Sequence, residues 1–93
     1  MIPRYEVTDT LNRKKYEAII DSGASSSLIT KEEKLNEKKK LKNELKMVNA
    51  NGTMEIISEY AVMNIENSGN TEIKLAPLKR GLTMILGYDW MKR

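Results

Sequence analysis

The segment AIIDSGASSSLI, Ala18 to Ile29, changes character twice within a few residues. A β-forming run from Tyr16 to Ile20 leads straight into Asp21. The six small residues SGASSS follow, poor material for helix or strand but well suited to close backbone approach, and Leu28 and Ile29 then return the chain to apolar side chains. The order predicts a loop that carries an acid between two buried strands. Asp9, Asp21 and Asp89 are the three aspartates of the chain, and Asp21 is the one in this unusual setting. Taken alone, Asp-Ser-Gly is ordinary turn chemistry.

Upstream, Arg4 to Thr8 and Tyr16 to Ile20 flank a polar stretch at Asn12, Arg13 and Lys14, the pattern of a strand, turn and strand. Downstream, Thr30 is followed by KEEK, with Glu33 placed to complete a capping box, which predicts a short helix fading in the Lys38 to Lys40 run. Leu41, Leu45 and Met47 share one parity and Lys42, Glu44 and Lys46 the other. A half-exposed strand is the preferred reading, although Leu41, Leu45 and Val48 would also suit a helix. Asn51-Gly52 supplies the residues that a two-residue type I′ turn requires, predicting a hairpin between Lys46 and Ile57. Asn67 to Asn70 mark a turn between strands at Tyr60 to Ile65 and Thr71 to Leu78, and Lys79, Arg80 and Gly81 mark another. Leu82 to Leu86, apolar except for Thr83, suits a last strand buried on both faces. With no repeat and no linker, residues 1–93 read as a single, mostly β domain with one or two short helices.

Composition narrows the chemistry. The chain has 93 residues, 40% hydrophobic and 31% charged, as in a soluble globular protein of modest core. No apolar run is long enough to span a bilayer, so no membrane partner is expected. The opening MIPRYEV lacks the regions of a secretory signal and Cys is absent, which points to an intracellular setting. Without His or Cys, Ser-His and Cys-His catalysis and His or Cys metal sites are closed to a single chain, and neither metal nor cofactor is expected. Carboxylates, Lys and Tyr remain for acid-base work. The net charge of +3 and the Lys-rich stretch from Lys31 to Lys46 could suit a polyanion, but Glu32, Glu33, Glu37 and Glu44 interrupt that stretch and aromatics are 5%. A solvated face is the better reading, and direct nucleic-acid binding is disfavoured.

AIIDSGASSSLI resembles the active-site signature of retropepsin-like aspartic proteases. Ile85-Leu86-Gly87 resembles that family's apolar-apolar-Gly motif, and YDWMKR its Gly-x-Asp-Trp continuation in gypsy-type LTR retrotransposons. The Asn51-Gly52 hairpin falls between them, where the family has its flap. The resemblance covers nearly the whole chain and implies an acid protease fold: a closed β-barrel subunit, half of a two-fold symmetric protease. It implies an aspartic endopeptidase acting on an extended segment of a Gag-Pol-like polyprotein, in the cytoplasm or in a virus-like particle. The alternative is a retropepsin-fold dimerisation or interaction module with little proteolysis.

The chemistry explains why such a subunit works as a homodimer. Hydrolysis without a metal or a nucleophilic side chain needs an activated water and a proton donor, and two carboxyls sharing one proton supply both. This chain holds one Asp-Ser-Gly, so Asp21 needs the Asp21 of a second copy across a two-fold axis. By resemblance, Ser22 bonds across that axis, Gly23 lets its N–H approach the carboxylate, and Ala24 leaves room for substrate. Ser25 and the flap residues Ala50, Asn51 and Gly52 would contact the peptide. Gly87 would let the last strand pass beneath the active-site loop, with Ile85 and Leu86 filling core and Trp90 packing. Ser25 stands where retroviral relatives often have a second Asp, and Tyr88 where they have Arg, so the ion pair those residues form cannot form here. The six residues after Gly87 leave little room for both the family's short helix and its C-terminal interface strand.

Overall fold

A computed structural model of the chain describes residues 3–48 and 52–92. Its strands form where side chains alternate. In β2 (Lys14–Ile20), Tyr16 and Ala18 are buried while Lys15 and Glu17 face solvent. In β6 (Gly69–Ala76), Thr71, Ile73 and Leu75 point inward. The long β5 (Met54–Ile65) buries Ile57, Ala61, Met63 and Ile65. This period of two places one row of each strand in the interior.

β1 (Arg4–Asp9), β3 (Leu28–Thr30), β4 (Lys39–Val48) and β7 (Met84–Leu86) complete a seven-stranded sheet in the order β1-β2-β7-β3-β6-β5-β4. An added pairing of β1 with β5, at Asp9 opposite Ile65, closes β1, β2, β7, β3, β6 and β5 into a ring, leaving β4 outside on β5. The closed barrel expected from the resemblance is present. Inside it, Tyr16, Ile29, Met63, Ile73, Met84 and Leu86 belong to one buried cluster; Leu28, Ile57 and Ala76 form a separate, smaller one. The strand, turn and strand unit at the start is also present, with β1 and β2 antiparallel and Arg13 at φ 59° in the turn.

Three expectations change. The helix after Thr30 does not form: Lys31 to Lys38 run as turns and irregular backbone. Thr30 does begin a cap-like turn, its C=O accepting from Glu33 N–H at 3.0 Å and its hydroxyl from Glu32 N–H at 3.4 Å. The reciprocal half of the box is lost, because the Thr30 N–H donates to the Thr83 C=O at 2.9 Å and the Glu33 carboxylate pairs with Lys14. Tertiary partners have taken both groups that would nucleate the helix. The one helix among the described residues is α1 (Tyr88–Met91).

The other two changes are strand limits. β6 stops at Ala76, because Pro77 has no N–H to continue a ladder. β7 starts at Met84, since Leu82 N–H closes the preceding turn on Lys79 C=O at 2.9 Å, with Gly81 at φ +90°. The strand reading of Leu41 to Met47 holds within β4, although a register shift lies between Lys40 and Leu45 and leaves Leu45 exposed. β4 and β5 form the expected hairpin, paired as far as Val48 opposite Met54. Its proposed type I′ turn falls partly on Ala50 and Asn51, which lie outside the described residues.

Candidate active site

β2 delivers Asp21 at its end. Ile20 pairs with Leu86 in the parallel β2–β7 ladder, and the Asp21 N–H extends that ladder by donating to the Leu86 C=O at 3.0 Å. The chain then turns: Ala24 N–H donates to Asp21 C=O at 3.1 Å, and Gly23 N–H to Asp21 Oδ1 at 2.9 Å. The second is a charge-assisted bond that orients the carboxylate. A Cβ on Gly23 would stand 3.2 Å from the same oxygen, tighter than an ordinary contact. Asp21, Ser22 and Gly23 are all exposed.

The second half of the loop is bound from below. Ser27 is fully buried; its N–H donates to Asp89 Oδ2 at 3.0 Å and its hydroxyl to Asp89 Oδ1 at 2.7 Å. The same Ser27 oxygen accepts from Gly87 N–H at 3.0 Å, and Tyr88 N–H donates to Ala24 C=O at 2.7 Å. Gly87 has no room for a side chain: a Cβ would stand 2.6 Å from Ala24 O and 2.7 Å from Ser26 O. These are backbone atoms and cannot swing aside, so the close passage of the last strand under the loop requires glycine. Asp89 also accepts from Trp90 N–H at 2.8 Å, securing the first turn of α1. Trp90 packs on the core, and its indole Nε1 has no hydrogen-bond partner among the described residues.

Above this platform lies a cleft of about 770 Å³. Asp21, Gly23, Ala24 and Ser25 line it from the active-site loop, Leu28, Ile57 and Ile85 contribute apolar side chains, and Leu45 to Val48 line it from β4. Asp21 is the one carboxylate among its lining residues. Leu86 is buried in the core, and Ile85 is half-buried, packed against the Leu28, Ile57 and Ala76 cluster while also bordering the cleft. Ser22 is exposed beside this lining rather than in it. Gly52 is exposed at φ +85°, and its flap neighbours Ala50 and Asn51 lie outside the described residues.

Sequence reasoning gave Ser27 and Asp89 no role. The available signal was an acid two residues after the Gly that meets a serine-rich loop, but nothing local says which of three consecutive serines turns inward. Lys74 was missed as well: it borders the cleft from β6, opposite Leu28 in the parallel β3–β6 ladder.

No curated protein matches the chain. A family model described as gag-polyprotein putative aspartyl protease matches residues 7–93. That span takes in nearly all of the barrel, the Asp21 loop, the hairpin and the Gly87 to Trp90 platform. The chain is thus a retropepsin-like member of the gag-polyprotein aspartyl protease family.

Proposed function

We propose that the chain is the protease subunit of a gypsy-type LTR retrotransposon, an aspartic endopeptidase that cuts a Gag-Pol-like polyprotein as a homodimer. The observation that carries this reading is an exposed, backbone-oriented Asp21 carboxylate at the mouth of a cleft that holds no second carboxylate among its lining residues. A second copy related by a two-fold axis supplies the missing acid. Two such carboxyls about 3 Å apart share one proton. The ionised member takes a proton from the attacking water while the protonated member polarises the scissile carbonyl.

The neighbouring residues support this assignment. Gly23 N–H holds one Asp21 oxygen, and the exposed Ser22 hydroxyl is available to bond across the axis. The β4–β5 hairpin lines the cleft, and as a flap it would add main-chain hydrogen bonds to an extended peptide and exclude water. The test is cleavage of a peptide library by the wild-type chain and by Asp21→Asn. Cleavage should be lost in the variant, blocked in the wild type by a peptide mimic with a central hydroxyl, and bell-shaped against pH on the acidic side of neutrality. Undiminished cleavage by Asp21→Asn would overturn the proposal.

A further inference from the structure

Three lysines, Lys46, Lys74 and Lys79, line the cleft together with a single acid, Asp21. Lys74 is the unusual one. Its side chain is only 14% exposed, and its nearest acid, Glu72, is 51% exposed with Oε1 at 4.0 Å, the outer limit of an ion pair. A largely buried lysine side chain with so weak a partner gains from an anion that enters the cleft. Neither Lys46 nor Lys79 has an ion-pair partner among the described residues.

The sheet register says where that anion would lie. Ile85 pairs with Leu28 across β7 and β3, and Leu28 pairs with Lys74 across β3 and β6. Paired residues share a face, so Ile85, Leu28 and Lys74 form one row across the side of the cleft. At about 4.8 Å between strands, Lys74 stands roughly 10 Å from Ile85, about three residues of extended peptide. Ile85 is itself adjacent to Leu86, whose C=O holds the Asp21 N–H. The row therefore runs from the catalytic acid through two apolar residues to a cation.

We propose that Lys74 is a specificity-determining residue: the cleft selects peptides that are apolar at the scissile bond and carry a Glu or Asp a few residues away. This rests on the protease reading above and adds the charge of the substrate to it. In a two-fold dimer each half of the cleft would offer the same Lys74, so an acid is favoured on either side of the cut.

The test uses the full chain and a peptide set with a fixed apolar pair at the cut. Glu, Gln or Lys is placed in turn at the second, third or fourth residue to either side. At the best position kcat/KM for the Glu peptide should exceed that for the Gln peptide by about tenfold, with the Lys peptide poorest and the spread narrowing in salt. Lys74→Gln should bring the Glu to Gln ratio to about one, and Lys74→Glu should invert the order of Glu and Lys. Equal rates for Glu and Gln peptides in the wild type, or an unchanged ratio in Lys74→Gln, overturn the proposal. Cutting of the Gln peptide reports separately on the protease reading. If that peptide stays intact, the ratio is read as the affinity of the same peptides by fluorescence anisotropy. An acid preference lost in Lys74→Gln then supports the assignment, and equal affinities overturn it.

Discussion

Asp21 can be placed only as well as the loop beneath it is held, and two residues far apart in the chain hold it. Ser27 and Asp89 meet in a part-buried contact in which the carboxylate accepts from both the N–H and the hydroxyl of the serine. In Asp89→Ala both donors of the buried Ser27 lose their acceptor, a cost of about 1–3 kcal/mol. Urea denaturation at one fixed protein concentration should show that loss, and cleavage should fall with it because the loop carrying Asp21 is released. Gly87 sits against the same loop through steric fit. Gly87→Ala forces a methyl into Ala24 O and Ser26 O, so the loop must shift. The expected destabilisation is about 1–3 kcal/mol, with kcat falling because Asp21 moves with its support. Retained kcat in Gly87→Ala would show that the passage under the loop does not set the position of the acid.

The ring of strands closes at a single short pairing, and Asp9 makes it hold. Buried at the end of β1, its Oδ1 accepts from Leu11 N–H at 3.0 Å and from Asn64 N–H at 3.3 Å, joining β1 to β5. Thr10 N–H to Asn64 C=O at 2.8 Å and Glu66 N–H to Thr8 C=O at 3.0 Å complete the seam. Asp9→Ala should lower stability by about 1–3 kcal/mol, with amide exchange speeding first at Thr10, Asn64 and Glu66. Most strands were legible in the sequence because one face of each is buried, which writes the period of two into Tyr16 and Ala18 or Ile73 and Leu75. The Asp21 loop was legible because small residues and an acid interrupt apolar runs. What was illegible depends on partners distant in sequence. Thr30 and Glu33 carry a sound helix start, undone by Thr83 and Lys14. Nothing local to Asp9 says that it ties β1 to β5, and the inward choice of Ser27 is made by Asp89.

On the proposed reading, a small barrel whose cleft is lined by one carboxylate needs a second copy for its chemistry. Asp21, Ser22 and Gly23 are exposed on one loop, so in the proposed dimer two copies that meet there would complete both the carboxyl pair and the cleft. Activity would then be a property of the pair of subunits, and diluting one competent acid with an incompetent one should cost more than its share. The most direct measurement mixes wild-type and Asp21→Asn subunits at constant total concentration, lets them exchange, and follows peptide cleavage. Each mixed dimer has only one ionisable acid at its centre, so the rate should fall as the square of the wild-type fraction, to about a quarter at equal mixing. A rate that falls in simple proportion, to about half, would mean that one subunit's acid suffices, contradicting a site shared between two copies.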